Sequence, residues 1–127
     1  RECIQQGIEV EAIPGASAIL AALVSSGLPT DKFLFLGYLP KKSGKRKKLL
    51  ESLKATNNLT TIFFESPYRL LKTLNDIQSI FGDIEIVICR ELTKIHEEIR
   101  REKISEAIKH FEQVKPKGEF TIDYKII

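Results

Sequence analysis

The chain has 127 residues, of which 43% are hydrophobic and 29% are charged, as is typical of one soluble globular domain with a real core. Its longest apolar run, residues 16–24, is far too short to span a membrane, and no secretory signal is present, so we expect a cytoplasmic protein. The net charge is +3, but residues 41–48 alone carry six positive charges, so the rest of the chain is net acidic. This uneven distribution slightly favours contact with a polyanion over a merely solvated helix start.

The first half of the chain predicts strands alternating with helices. A strand over residues 9–13 precedes a helix over 16–26, which Gly27 stops. Residues 33–37 are apolar without alternation, which predicts a strand covered on both faces. The basic stretch then leads into a second helix that ends near Ala55.

The second half continues the same alternation. The remaining predicted elements are a strand over 60–64, a helix capped by Ser66 with Pro67 at its first position and Gly82 at its end, a strand over 85–89, a helix over 105–111 and a strand from 119 to about 125. The stretch 90–101 has charges that suit a helix, but we predict a loop or an edge strand. The order β-α-β-α-β-α-β-α-β indicates an α/β domain with a mostly parallel or mixed sheet and helices on its faces.

Polar groups follow several of these strands, where ligands gather in α/β sheets. A glycine turn at 14–17 leads into a helix whose first side chains are small, an arrangement that brings backbone N–H groups to a ligand, although a plain strand-to-helix connection is the simpler alternative. Glu65 and Glu91 each follow an apolar strand. They are candidate ligand-binding carboxylates, or they form ion pairs with Arg69 and Arg90.

Metal and nucleophile chemistry finds little support in the sequence. Cys3 and Cys89 lack the spacing of metal ligands, and Cys89 lies in an apolar strand, where we expect a buried thiol. His96 and His110 are isolated, and neither completes a catalytic triad. We therefore predict no metal site.

Five motifs in series carry a more specific likeness. They are Pro-Gly-Ala-Ser-Ala at 14–18, Ser-Gly-Leu-Pro-Thr-Asp-Lys-Phe at 26–33, Gly-Tyr-Leu-Pro at 37–40, Phe-Glu-Ser-Pro-Tyr-Arg-Leu at 64–70 and Arg-Glu-Leu-Thr-Lys at 90–94. Together they resemble the C-terminal half of the bacterial 16S rRNA (cytidine-2′-O)-methyltransferases, in the tetrapyrrole methylase superfamily. The third, fourth and fifth motifs distinguish the rRNA branch from the corrin and porphyrin methylases.

The resemblance implies a fold, a reaction and partners. The fold would be the C-terminal domain of the tetrapyrrole methylases, with a mixed sheet of about five strands and helices on its faces. The resemblance also implies that residues 94–101 are extended and not helical. The enzymes use S-adenosylmethionine in a cleft between two α/β domains, act as homodimers and methylate a cytidine ribose 2′-hydroxyl in 16S rRNA. Residues 1–14 would then be the remnant of the cofactor-binding N-terminal domain with its hinge, and 15–127 the C-terminal domain.

The resemblance also implies site residues. The expected cofactor-binding residues are Gly15, Ser17, Ala18, Phe64, Glu65, Arg90, Glu91, Leu92, Gly118 and Glu119. The basic residues expected to meet rRNA phosphates are Lys41, Lys42, Lys45, Arg46, Lys47 and Lys48. A weakly nucleophilic 2′-hydroxyl calls for a base or a cation, for which Glu65, Glu91 and Lys94 are the candidates, with none selected by the sequence.

The sequence departs from the family in three respects. The chain has no methionine and begins at Arg1, so we expect a fragment, inactive alone, that lacks the glycine-rich loops of an N-terminal domain. Glu102 stands where the family usually has glycine, and Asp123 stands where it has an apolar residue. Two alternatives stay open: a small-molecule tetrapyrrole or corrin C-methyltransferase, which the lysine cluster disfavours, and a non-catalytic dimerisation or RNA-binding module.

Overall fold

The computed structural model describes residues 1–55 and 58–126, and within them five strands form one mixed sheet in the spatial order β1-β2-β5-β3-β4. The strands are β1 (Phe33–Tyr38), β2 (Thr60–Glu65), β3 (Glu85–Arg90), β4 (Glu98–Lys103) and β5 (Phe120–Lys125), and the helices are α1 (Glu2–Gln5), α2 (Ala18–Ser26), α3 (Ser43–Ser52), α4 (Leu70–Phe81) and α5 (Ile104–Gln113). β1 and β2 run parallel, whereas β5 is antiparallel to both β2 and β3, and β4 is antiparallel to β3. This mixed α/β sheet confirms the predicted fold class.

The main core lies between one face of the sheet and helices α3, α4 and α5. Leu70, Leu74 and Ile77 of α4 recur at helical spacing and are fully buried there. They pack against strand residues such as Phe63 and Ile122, which lie directly opposite each other on β2 and β5 and therefore point to the same face. This face holds most of the buried apolar surface and fixes the sheet.

The opposite face of the sheet is covered by α2 alone among the described helices. Ala22 of α2 packs on Val87 and Cys89, a smaller apolar cluster that confirms the buried thiol. Gly27 ends α2, as predicted, and it adopts the left-handed conformation. The expectation that β1 is covered on both faces is wrong, because Phe33 and Phe35 remain 40% and 37% exposed on the α2 side.

Several local predictions are corrected. Residues 9–13 form no strand: they pair with no strand of the sheet, and an extended segment without a partner lacks the hydrogen bonds that define one. Helix α4 begins at Leu70 rather than at Pro67, because residues 66–69 form a separate turn in which the Arg69 amide donates to the Ser66 carbonyl. The chain order is therefore α-α-β-α-β-α-β-β-α-β.

The uncertain stretch after β3 resolves into a turn followed by the edge strand β4, as predicted. Glu97 and Arg101, which a helix would place one turn apart, do not pair with each other. Glu97 instead accepts a hydrogen bond from the Thr93 amide, and the Arg101 guanidinium donates to the carbonyls of Ser25 and Ser26 at the end of α2. In the described part of the chain, no helix is both long and apolar enough to cross a membrane.

Candidate functional site

A cleft of about 360 Å³ lies where β1 and β2 end and β5 begins. Parallel strands end at one edge of a sheet, and the antiparallel β5 starts at that same edge, so three chain segments meet there. The N-terminus of α2 closes one side. The lining residues are Ala18, Tyr38, Phe64, Glu65, Ser66, Pro67, Gly118, Glu119, Phe120 and Thr121.

The structure brings most of the expected cofactor residues to this cleft or next to it. Of the ten, the cleft is lined by Ala18, Phe64, Glu65, Gly118 and Glu119. Ser17 and Leu92 line an adjoining pocket of about 240 Å³, which shares Ala18 with the cleft. The Ser17 hydroxyl accepts a hydrogen bond from the Leu20 amide and so caps α2 at the point where the two pockets meet.

Gly15 and Arg90 lie apart from the cleft. Gly15 is exposed in a segment without helix or strand. The Arg90 guanidinium turns away: its Nε donates to the Lys117 carbonyl at 2.6 Å, and its Nη1 lies 3.6 Å from Glu98. Arg90 therefore supports the 116–118 turn from behind, and it pairs with Glu98 rather than with Glu91.

Glu91 ties the turn after β3 to the start of β5. The Glu91 amide donates to the Glu119 carbonyl at 2.9 Å, and the Glu91 carboxylate accepts from the Glu119 amide at 2.8 Å. Lys94 Nζ lies 3.3 Å from Glu91 Oε1 and 2.9 Å from Glu119 Oε2. Glu91 and Thr93 have positive φ angles of 50° and 66°, a strained conformation of the kind found at functional sites.

Gly118 is required by this arrangement. Its φ of 93° suits glycine, and a Cβ atom at this position would lie 2.7–2.8 Å from the side chain of Glu91. Glycine therefore lets the 117–119 backbone approach the Glu91 carboxylate closely enough for the Glu119 amide to bond to it.

The same contacts set the charges of Glu91 and Lys94. The hydrogen bond from the Glu119 amide, with help from Lys94, lowers the pKa of the Glu91 carboxyl. The hydrogen bonds to Glu119 and Glu91 raise the pKa of the Lys94 amine, so it stays an ammonium ion. Lys94 is thus a cation and not a base, and Glu91 is a weak base.

Glu65 is a buried carboxylate whose two oxygens are both engaged. One oxygen accepts from the Ser66 amide at 2.7 Å and lies 2.9 Å from the Arg69 guanidinium, and the other accepts from the Thr73 hydroxyl at 2.6 Å. The predicted ion pair with Arg69 is therefore confirmed. Glu65 anchors the turn at the floor of the cleft to helix α4 and is not a free base.

The basic stretch contains one buried cation. Arg46 is 2% exposed and donates through Nε to Asp76 at 2.8 Å, with Nη2 at 2.6 Å from the same carboxylate oxygen. The expectation that Arg46 contacts rRNA phosphates is therefore wrong, because its guanidinium is buried and binds Asp76. Lys47 is half-exposed, and its Nζ lies 3.6 Å from Asp76 Oδ1. The lysines at 41, 42, 45 and 48 are exposed.

Two residues of interest were not among the expected site residues. Tyr38, the last residue of β1, lines the cleft. The signal available in the sequence was its position directly after the apolar residues 33–37. Asp123 lies in the middle of β5, fully buried, and its carboxylate has no hydrogen-bond partner among the described residues. Burial raises the pKa of Asp123 to about 7.

Comparison with known proteins gives consistent matches. A sequence profile of the Tetrapyrrole (Corrin/Porphyrin) Methylases matches residues 1–108. The chain is 53% identical over 95% of its length to the Ribosomal RNA small subunit methyltransferase I of Thermotoga maritima, and 47% identical over 94% to that of Synechocystis sp.. It covers 54% and 43% of those two relatives, so it spans about half of their length.

Solved structures share the fold at low sequence identity. The methyltransferase CobJ superposes with a TM-score of 0.66 at 18% identity, covering 94% of this chain and 52% of its own. The Thermus thermophilus uroporphyrin-III C-methyltransferase, solved in complex with S-adenosylhomocysteine, gives a TM-score of 0.56 at 16% identity, covering 98% of this chain and 56% of its own. These likenesses establish the tetrapyrrole methylase fold.

Proposed function

Because the chain belongs to the tetrapyrrole (corrin/porphyrin) methylase family, we propose that it is the C-terminal part of an S-adenosylmethionine-dependent methyltransferase acting on small-subunit rRNA. The finer proposal is methylation of a cytidine ribose 2′-hydroxyl in 16S rRNA by a cytoplasmic homodimer. The observation that carries the proposal of an rRNA methyltransferase is the 53% identity, over 95% of this chain, to a relative named as an rRNA small subunit methyltransferase.

The domain arrangement is part of the same proposal. Residues 1–14 would connect to a preceding cofactor-binding domain, and 15–127 would form the C-terminal domain. The exposure of Ile4, Val10 and Ile13, between 63% and 87%, supports a segment that packs on a part of the enzyme beyond these residues. The chain's span of about half its relatives is consistent with this division.

The lining of the cleft fits S-adenosylmethionine. The cofactor combines a flat adenine, ribose hydroxyls and a sulfonium cation, and the lining offers the aromatic ring of Phe64, the small Ala18 at a helix start and the exposed carboxylate of Glu119. Gly118 leaves its backbone open to close approach. When bound, the cofactor supplies an electrophilic methyl group with a neutral thioether as leaving group.

In the reaction, the 2′-oxygen would form a bond to the methyl carbon as the carbon–sulfur bond breaks, and the hydroxyl proton would pass to an acceptor. Most of the acceleration would come from holding the two reactants in line. Glu65 and Glu91 hold the walls of the cleft in place through their hydrogen bonds to the Ser66 and Glu119 amides. Because Glu65 is fully engaged and Lys94 stays protonated, we assign neither as the proton acceptor.

The exposed lysines at 41, 42, 45 and 48 would bind rRNA phosphates without reading sequence. Each phosphate contact made by a lysine contributes to the slope of log affinity against log salt, by about 0.7 for single strands and about 0.9 for duplex regions. Replacing these lysines with alanine should therefore weaken RNA binding and flatten its salt dependence. Unchanged binding would mean that they are only a solvated helix face.

The direct test uses the full-length protein with small ribosomal subunits from a strain that lacks this methyltransferase. We expect transfer of labelled methyl groups to 16S rRNA, with the label on a cytidine ribose after nuclease digestion. Label on a base would contradict the 2′-O assignment. Transfer to uroporphyrinogen-type substrates and not to the ribosomal subunit would favour the tetrapyrrole alternative, and binding without any transfer would favour the non-catalytic module.

A further inference from the structure

Tyr38 is an exposed aromatic ring at the mouth of the cleft. It is the last residue of β1, it is 64% exposed, and it lines the cleft together with Phe64. Its ring lies 5.7 Å from that of Phe64 at a tilt of 58°, and Phe64 in turn meets Phe35 edge-on at 5.0 Å. One part of the Tyr38 ring therefore rests on a short aromatic row, and most of it faces solvent.

The loop that follows Tyr38 is held by two ion pairs, one buried and one with a partly exposed arginine. Arg69, paired with Glu65, donates through Nη1 to the Leu39 carbonyl at 3.1 Å. Arg46, paired with Asp76, donates through Nη1 to the carbonyls of Pro40 and Lys41 at 3.0 and 3.1 Å. Three consecutive carbonyl oxygens thus receive guanidinium donors.

The side chains around this loop strengthen the hold. Leu39 is 2% exposed in the main core, and the Ser43 hydroxyl donates to both carboxylate oxygens of Asp76. A loop fixed in this way loses little further conformational entropy when a ligand binds to it. Because the loop begins at Tyr38, the ring is attached to a rigid support.

Two exposed lysines complete the arrangement. Lys41 and Lys42 follow Tyr38 by three and four residues and begin the basic stretch that continues into α3. A sequence-tolerant site for single-stranded nucleic acid combines an aromatic ring, on which a base stacks, with cations that contact the neighbouring phosphates. Tyr38, Lys41 and Lys42 supply both components at the edge of the cleft.

We propose that Tyr38 is a stacking platform for an unpaired base of the RNA, with Lys41 and Lys42 contacting the phosphates beside it. This inference rests on the proposed function and deepens it, since it names the part of the RNA that enters the site. The ring lines the cleft, and the two lysines follow it along the chain by three and four residues. A base stacked on it would therefore hold the RNA strand beside the cleft, where methyl transfer would take place.

The test measures binding of a fluorescein-labelled single-stranded RNA, with cytidine at its centre, to full-length wild-type protein and its variants. Stacking on an aromatic ring commonly contributes enough that its removal weakens binding by about 10-fold. We expect Tyr38→Ala to show that loss, with the salt slope unchanged because no charge is removed. Tyr38→Phe should stay within about 2-fold of wild type.

The lysines should behave in the complementary way. Lys41→Ala with Lys42→Ala should lower the salt slope by about 1.4, from about 0.7 per contact on single strands. The control is Lys109→Ala, which removes an exposed cation on α5, and we expect it to change neither affinity nor slope. Annealing the probe to its complement should abolish the difference between wild type and Tyr38→Ala, since a paired base cannot stack on the ring.

Each contrary result has a distinct meaning. If wild type binds the single strand and Tyr38→Ala binds it equally well, the stacking inference is wrong and the proposed function stands. If Tyr38→Ala weakens S-adenosylhomocysteine binding but not RNA binding, the ring belongs to the cofactor site, which also overturns the inference. If wild-type protein neither binds RNA nor methylates small subunits, the proposed function fails and the inference fails with it.

Discussion

Replacing Arg46 with alanine should cost far more stability than replacing any neighbouring lysine. The substitution removes the partner of Asp76, which is 7% exposed, and the donor to the carbonyls of Pro40 and Lys41. Removing one member of a buried ion pair typically costs about 3–5 kcal/mol, since the other charge stays buried and uncompensated. Ser43 and Lys47 still contact Asp76, so we expect the lower end of this range, about 3 kcal/mol.

Urea unfolding of the full-length protein measures this loss, with Lys45→Ala as the matched control on the same helix. The control removes an exposed cation and should change the free energy of unfolding by less than about 0.5 kcal/mol. The double variant Arg46→Met with Asp76→Leu removes both charges and should recover most of the lost stability.

The reasoning fails if Arg46→Ala costs less than about 1 kcal/mol and weakens RNA binding as much as Lys45→Ala does. That pair of results would show that the guanidinium leaves Asp76 and serves as a phosphate contact, like the lysines around it.

Three further predictions follow from the buried carboxylates and the close backbone approach. Burial raises the pKa of Asp123 from 3.8 to about 7, so the folded chain holds the proton more tightly than the unfolded chain, and stability should fall as the pH rises from about 4 to about 7 and level off above it. In urea unfolding across that range, Asp123→Asn should remove this fall, which amounts to at most about 4 kcal/mol. A flat wild-type profile would contradict the prediction. Gly118→Ala should lower the free energy of unfolding by about 1–2 kcal/mol, and calorimetry should show weaker binding of S-adenosylhomocysteine, because the new Cβ atom meets Glu91. The control Gly44→Ala, which places its Cβ atom in open space on α3, should be neutral or stabilising. Glu65→Gln should destabilise the protein by about 3 kcal/mol because Arg69 loses its partner, and a loss of activity without a loss of stability would return Glu65 to the list of candidate bases.

Local pattern predicted most of the fold. Helix α4 followed from Leu70, Leu74 and Ile77 at helical spacing, and the apolar runs found four of the five strands. The predicted strand at 9–13 failed because a strand exists only where a neighbour offers hydrogen bonds, and no periodicity reports that neighbour. The edge strand β4 could not be predicted from local pattern for the converse reason: its charges suit a helix, and pairing with β3 makes it extended. The resemblance to the family, and not the local pattern, favoured the extended form.

The site was harder to predict because chemistry at a site depends on contacts between distant residues. Nothing local separates Arg46 from the lysines beside it, since the pairing with Asp76 spans 30 residues. One signal was available: Arg46 is the single arginine among six basic residues. A planar guanidinium with five donors can bind a carboxylate and two carbonyls together, which an ammonium group does less well.

The charges of the described residues divide into two groups with different roles. Within and beside the cleft they lie in a pair and a triad: Glu65 with Arg69, and Glu91 and Glu119 with Lys94, which leaves one net negative charge in the triad. A ligand in the cleft therefore meets shape, backbone and aromatic surface together with this single negative charge. Uncompensated positive charge is concentrated outside it, on the lysine stretch that begins at Lys41. Binding inside the cleft should accordingly be nearly independent of salt, whereas attraction of a polyanion to its edge should weaken as salt rises. A protein that must hold a small cofactor and a large RNA at adjacent positions gains from this separation, because the two ligands do not compete for the same charges.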